Sequence, residues 1–402
     1  MNFFKKTVKQ EKKVKLVAVA KDEAAYLPEW IHHHLYFGFD EIEVYVNRSS
    51  DNSIPLLSKI SQEHDEVKFT TADWVDLCPE AAKSHIQQIV YSLALHKAKE
   101  DGFDYIMFID VDEFYMPKDM VTGIKNKLLQ LDYPDSISFQ WFNEKGQDKP
   151  FSVLPASING FRHKLIKSIV ATNAPIDSMS LHLPRFKKGK KLLSDGSKFI
   201  PAKGHHEQLD PRLSQQRDTM IVHRMFRSPL EYVSLLSRGR PSKTRLTIKT
   251  NRFGYNVDNA EYEDFTVDVE KYEAYQLSLQ RFIDKCGLAS ELLIAQQFVK
   301  SRYHQTIKSI SNIPINASKE ATRAFRNCDK EVVSALNKKY ATSEFLNSVS
   351  TPVLLSELAR MFIDIDKGTA KKLISKAAEL HPTGPQIKNL YKLIFDKNSG
   401  NI

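Results

Sequence analysis

Three short apolar runs near the start of the chain each stop abruptly at charged or polar side chains, and this pattern limits the fold more than any other feature. Residues 14–20, rich in valine, give way to Lys21, Asp22 and Glu23. Residues 42–46 give way to Asn47 through Asp51, and residues 105–109 to Asp110, Val111, Asp112 and Glu113. Runs of this length and composition read as buried strands, with residues 67–70 as a fourth. Helical stretches lie between them. Pro28 opens one that Gly38 closes, Pro being suited to a first turn and Gly to the position past the end. Residues 54–62 form another, and 80–100 a long one with Ile86, Ile89, Val90, Leu93 and Ala94 spaced for one face. Strands alternating with such helices imply right-handed crossovers and a parallel sheet covered on both faces, an α/β fold. In such a sheet ligands gather at the carboxyl ends of the strands. The three polar clusters therefore share one edge.

Residues 136–250 mix short strands (136–141, 166–170, 220–223) with polar loops, and helix-period spacing covers 270–305, 319–337 and 352–395. This divides the chain into a basic tail over 1–13, an α/β domain over 14–255 and a helical region over 270–402. Leu354, Leu358 and Phe362, then Ala370, Leu373, Ala377 and Leu380, are spaced like one tetratricopeptide-type hairpin. An ordinary helical pair packed on the main domain is the plainer reading.

With 402 residues and 42% hydrophobic content the chain can build a sizeable core. Its three cysteines form no CxxC pair, which excludes a disulfide scaffold or a zinc ribbon and suggests a reducing compartment. No run reaches the roughly 18 apolar residues of a membrane span. A soluble, cytoplasmic protein is expected, with the inner face of a membrane as its place of association. The net charge of +9 calls for an anionic partner. Six lysines fall within residues 1–15, and Arg185, Lys187, Lys188, Lys190 and Lys191 form a second cluster. Solvated surface is the plainer reading of each. No nucleic-acid-binding signature is present, so nucleic acid is not an expected partner.

Residues i and i+2 of an extended segment point the same way. Asp110 and Asp112 would thus repel unless a divalent cation lies near them, and hard oxygen ligands suit Mg²⁺ or Mn²⁺. Such an ion keeps positions open for a diphosphate. In the turn from Asn47 to Ser53, Ser and Asp side chains can cap the following helix; alternatively, Asn47 and Asp51 hydrogen-bond the base and ribose of a nucleotide. Lys83, at the start of the long helix, is placed to meet a phosphate there. The run His32-His33-His34 is no metal site, because adjacent helix residues point about 100° apart. Trp30 reads as core. Three functions compete for the aspartate pair. A dehalogenase-type phosphatase would use Asp110 as nucleophile, but that motif usually sits near the start of a chain, with Thr or Val where Phe114 stands. A nucleotide-sugar glycosyltransferase of the GT-A fold has a DxD about 100 residues in, after a strand. A nucleic-acid- or membrane-binding scaffold would leave Asp110 and Asp112 without a role.

Residues 18–23, Leu27 to Ile31 with His34 and Gly38-Phe39-Asp40, Val44 to Asn47 with Ser49-Ser50-Asp51, and Phe108 to Phe114 resemble glycosyltransferase family 92 and its bacterial relatives in the family-2-like group. His223, Arg227-Ser228 and Arg238-Gly239 continue the likeness, which spans roughly residues 14–245. Asp22 stands where that family usually has Asn, and Trp141-Phe142-Asn143-Glu144 where Trp-Phe-Gly-Ser is usual. The resemblance implies a GT-A domain followed by a helical region. It implies transfer of a hexose from a UDP-sugar donor to a hydroxyl of a cell-envelope glycan or glycolipid. Lys21, Glu23, Asn47, Asp51, Lys83 and Asp110 would surround the donor, and Mn²⁺ or Mg²⁺ would be held by Asp110, Asp112 and His223. An inverting transfer needs a carboxylate base; Glu144 is preferred over Asp177, Glu207 and Asp210. His205-His206 would border the acceptor, and the basic tail would meet an anionic leaflet.

Overall fold

The structure is a computed structural model and describes residues 11–239, 248–249, 251–258 and 260–395. Most of the basic tail expected over 1–13 lies outside the described residues. The chain divides into two compact units. The first comprises residues up to 145, 151–225 and 261–297, and the second residues 146–150, 226–260 and those from 298 onward.

The first unit is a mixed twelve-stranded sheet with helices on it. Its N-terminal part follows the expected pattern. The strands β1 (Val14–Ala20), β2 (Glu41–Val46), β3 (Val67–Thr71) and β4 (Tyr105–Phe108) lie in the order β3-β2-β1-β4, all parallel. Alternate side chains of β1 enter two different cores: Val14, Leu16, Ala18 and Ala20 on one face, Val17 on the other. A strand buried on both faces reads as a continuous apolar run, as this one does. The helices α1 (Leu27–Tyr36) and α2 (Ser53–Glu63) sit where expected.

The long helix expected over 80–100 is two helices, α3 (Glu80–Lys83) and α4 (Ile86–Glu100). Ser84 donates its hydroxyl to the Ala81 carbonyl at 2.7 Å, the local bond by which serine competes with helical backbone. Lys83 therefore does not open the long helix; it pairs with Glu80 at 3.1 Å.

Beyond β4 the sheet is mixed, with antiparallel pairs predominating. β5 (Glu113–Pro117), β6 (Ser136–Glu144) and β7 (Ser157–Ala171) are followed by the strand Thr219–His223, which lies between β6 and β5. β7 is far longer than the run 166–170 that apolarity suggested, because its first half carries Asn159, Arg162, His163 and Lys164 on both faces. The strand Glu263–Thr266 pairs with β7, and the helix Val269–Lys285 packs against α1.

The second unit is helical. Ser228 and Glu231 form a reciprocal capping box at the start of helix Pro229–Leu236. Leu354, Leu358, Phe362, Ala370, Leu373 and Ala377 are all buried along helices Pro352–Phe362 and Lys367–Leu380, while Leu380 is exposed. Helix Pro385–Phe395 packs against the second of these. Among the described residues no helix is long and apolar enough to cross a membrane.

Candidate functional site

The parallel order β3-β2-β1-β4 puts the carboxyl ends of β1, β2 and β4 on one edge, so the three polar clusters share it. Their chemistry differs. The β1 and β2 clusters are tied to each other. The backbone N–H of Asp22 donates to Ser49 Oγ at 2.9 Å, and that of Ser50 to Asp22 Oδ1 at 2.7 Å. One Asp51 oxygen accepts from the N–H of Ala24 at 2.8 Å, and the other from both the N–H and the hydroxyl of Ser53. Asn47 is buried and donates to the Ala72 carbonyl at 3.1 Å. Arg48 reaches Asp76 instead of the edge. Lys21 and Glu23 lie at the end of β1, Glu23 buried.

The β4 cluster is joined by two strands. His223 lies opposite Glu113 on β5 and opposite Asn143 on β6. This register brings its Nε2 to 3.6 Å from Asp112 Oδ2. Asn143 Oδ1 lies 3.2 Å from His223 Nδ1. A neutral imidazole donating from Nδ1 to that oxygen keeps the Nε2 lone pair toward Asp112, the orientation by which an outer partner fixes a metal-binding histidine. An imidazole nitrogen beside a carboxylate oxygen is a donor set suited to a divalent cation.

Asp110 is oriented elsewhere. Its Oδ1 accepts from Gln87 Nε2 at 2.8 Å, and its Oδ2 lies 3.5 Å from the ammonium of Lys167. Lys167, on β7, is buried and also reaches Glu113 at 3.2 Å. Burial disfavours its charge, but Asp110 and Glu113 outweigh that and hold its pKa above the ordinary value. Glu113 is fully buried, and burial pushes its carboxyl well above the usual range. Its Oε2 accepts from the N–H of Asp110 at 2.9 Å. Among the described residues no three His, Cys, Asp or Glu side chains gather around one point; the structure brings Asp112 to His223 and holds Asp110 to Lys167.

Glu144, expected as the base, is buried at the end of β6 and bonded to Arg224 at 2.8 Å; Arg224 also meets Glu29 and the Ser152 carbonyl. That is the setting of a structural ion pair. Asp210 is taken up by Arg212, and Asp177 by Lys187 at 3.4 Å. Glu207 accepts from the N–H of His182 at 2.8 Å. His182 packs on Trp141 with ring centres 5.0 Å apart, and Trp141 packs on His223 at 4.1 Å. Glu207 is thus linked to the Asp112–His223 pair through His182 and Trp141. Burial would raise its carboxyl, but the His182 N–H and imidazole bring it below the ordinary value. His163 also lies against Trp141, and burial lowers both His163 and His182 to about 4. The indole N–H of Trp141 is buried with no acceptor among the described residues. Such a donor is costly unless a ligand or water meets it.

Neither Lys167 nor Trp141 was singled out as a site residue from sequence. A lysine in a strand reads as an outward-facing residue, and a tryptophan flanked by Phe139 and Phe142 reads as core. The signal available was the polar company of each: Lys167 in a strand that pairs with β4, Trp141 two residues before Asn143.

The three helical histidines are core. His33 meets the Tyr275 hydroxyl and the Tyr115 carbonyl, His34 the Trp30 carbonyl, and His32 the Ser278 hydroxyl. Burial lowers His32 to about 4 and His34 to about 3. Trp30 is fully buried and donates to the Glu113 carbonyl at 3.0 Å.

A sheet of parallel strands with acids at its carboxyl edge and helices following it is consistent with the GT-A-like fold of sugar-transferring enzymes. The model of glycosyltransferase family 92 matches residues 16–200. That match supports a glycosyltransferase, an enzyme with a sugar donor and an acceptor as its substrates. No curated protein matches the chain.

Proposed function

We propose that the protein transfers a hexose from a UDP-sugar to an acceptor hydroxyl with inversion, aided by a divalent cation. The observation that carries this reading is the Asp112–His223 pair, 3.6 Å apart beside the carboxyl edge of the parallel strands. Asp112 Oδ2 and His223 Nε2 would hold Mn²⁺ or Mg²⁺, with Asn143 fixing the imidazole. The cation would stabilise negative charge growing on the departing diphosphate. Asp110 adds a carboxylate at the same edge, and Lys167 keeps it from repelling the diphosphate. Lys21 and Glu23 lie at the neighbouring strand end.

In the transfer, the bond from the sugar's anomeric carbon to the phosphate oxygen breaks, and its electron pair leaves with UDP. The acceptor oxygen bonds that carbon and loses its proton to a carboxylate. Glu207 is the acid best placed for this role, since Glu144, Asp177 and Asp210 are each committed to a cationic side chain. The indole N–H of Trp141, which meets no acceptor among the described residues, would donate a hydrogen bond to a sugar hydroxyl oxygen. An acceptor in the cell envelope agrees with the basic character of the chain.

The test is a thermal-shift panel of nucleotides with and without Mn²⁺, on the wild type and on Asp112→Asn. A ligand that binds only the folded state raises the midpoint. UDP with Mn²⁺ is expected to raise that of the wild type and not that of the variant. No shift with any nucleotide in well-folded protein would overturn the reading.

A further inference from the structure

The second basic cluster lines a cavity. Residues 183–192 with Lys198, Phe199 and Pro201 enclose about 570 Å³, with Leu183, Phe186, Leu192 and Phe199 forming apolar walls. Arg185, Lys187, Lys188, Lys190, Lys191 and Lys198 surround it, and no Asp or Glu lines it. Acids stand outside the lining: Asp177 pairs with Lys187 at 3.4 Å, Asp135 accepts from the backbone N–H of Lys190, and Glu207 follows His206 in the chain. Among the described residues no carboxylate pairs with Arg185, Lys188 or Lys198. Lys191 is drawn inward over the Phe186 ring, 4.8 Å from its centre. Like charges collected round a concave apolar surface repel one another and focus a positive potential into it, and an anion bound there relieves both.

The cavity also touches the transfer site. His206 lines it and lies 3.2 Å from the Ser180 hydroxyl, which donates to the Leu183 carbonyl. In the same short segment Leu181 accepts from Lys167, and His182 packs on Trp141. Residues 180–183 are therefore a wall with the acids and Trp141 on one side and the basic cavity on the other.

We propose that this cavity binds a phosphate group carried by the acceptor, so that the enzyme selects phosphorylated glycans. The proposal rests on the transferase reading above and names its acceptor class. The volume suits one phosphosugar. Guanidinium and ammonium groups are the usual partners of phosphate oxygens, Arg185 offering a two-pronged contact. The apolar walls suit the carbon face of a sugar ring. A nucleic-acid surface would instead be an extended basic stripe.

Calorimetric titration with glucose 6-phosphate, with glucose and with anionic phosphatidylglycerol vesicles tests this. Glucose 6-phosphate is expected to bind, and glucose is not. In the combined variant Arg185→Ala, Lys188→Ala, Lys198→Ala, with its fold checked by circular dichroism, affinity is expected to drop about tenfold or more. Asp112→Asn is expected to lose the Mn²⁺-dependent UDP shift but keep phosphosugar binding, so the two readings fail separately. The proposal is overturned if wild type binds glucose 6-phosphate no better than glucose, or if the triple variant binds it equally well. It is also overturned if UDP displaces it from Asp112→Asn, making this the donor's own subsite, or if only vesicles bind, making it a lipid surface.

Discussion

The ends of β1 and β2 and the end of β4 look alike as sequence, with charged residues following an apolar strand, yet the two regions are built oppositely. At β1 and β2 the side chains close on the backbone: both oxygens of Asp51 and one of Asp22 hold N–H groups of neighbouring turns. At β4 the polar groups face one another. A carboxylate stands against an imidazole, a buried lysine lies between two acids, and an indole N–H has no acceptor among the described residues. A strand end whose side chains hold backbone N–H groups serves the fold, whereas one that sets titratable groups against each other beside an unmet donor keeps groups available to a ligand.

Substitutions can break this contrast. The largest effect is expected at Asp112→Asn or His223→Ala, each lowering turnover of a UDP-sugar about 10²–10³-fold with little change in melting temperature. A melting point that fell in step with activity would place the pair among the structural ties. Next comes Arg224→Ala, which removes the cation bonded to the buried Glu144 and beside the half-buried Glu29; losing one partner of a buried pair costs about 3–5 kcal/mol, read as a lower urea midpoint. Asp51→Ala should cost about 1–3 kcal/mol by leaving N–H groups unmet, and UDP affinity should survive it in protein that remains folded. A loss of UDP binding larger than the loss of stability would move Asp51 to the functional side.

The core histidines sharpen the comparison through pH. His34 titrates near 3 in the folded chain and near 6.5 when unfolded, and His33 is lowered likewise. Below pH 6.5 the unfolded chain binds more protons, so stability is intact above 6.5 and falls with pH. The slope is about 1.4 kcal/mol per unit for each histidine, measurable as urea midpoints between pH 7 and 5. The smallest effect is expected at Lys83→Ala, which removes only an exposed i,i+3 pair with Glu80 and should change stability by less than about 0.5 kcal/mol.

The sequence was most readable where burial on both faces wrote an uninterrupted apolar run, as in β1 and β4. It was least readable where a side chain's role depends on a partner far along the chain. Lys167 is buried only because β7 carries it beside Asp110, 57 residues earlier. His223 meets Asp112 only through the register of its strand between β5 and β6. Glu144 reads as an available acid until Arg224 is seen against it. The break at Ser84 was hidden for a different reason: the apolar spacing continues through α4, and a single local bond ends α3.

Lys167 also bears on how the protein behaves when handled. Because a covalently attached ammonium already sits between Asp110 and Glu113, the acid cluster carries its own counter-charge from the moment the sheet closes. If transfer needs the cation proposed above, chelation should silence turnover without melting the fold, and adding Mn²⁺ back should restore it with no refolding step.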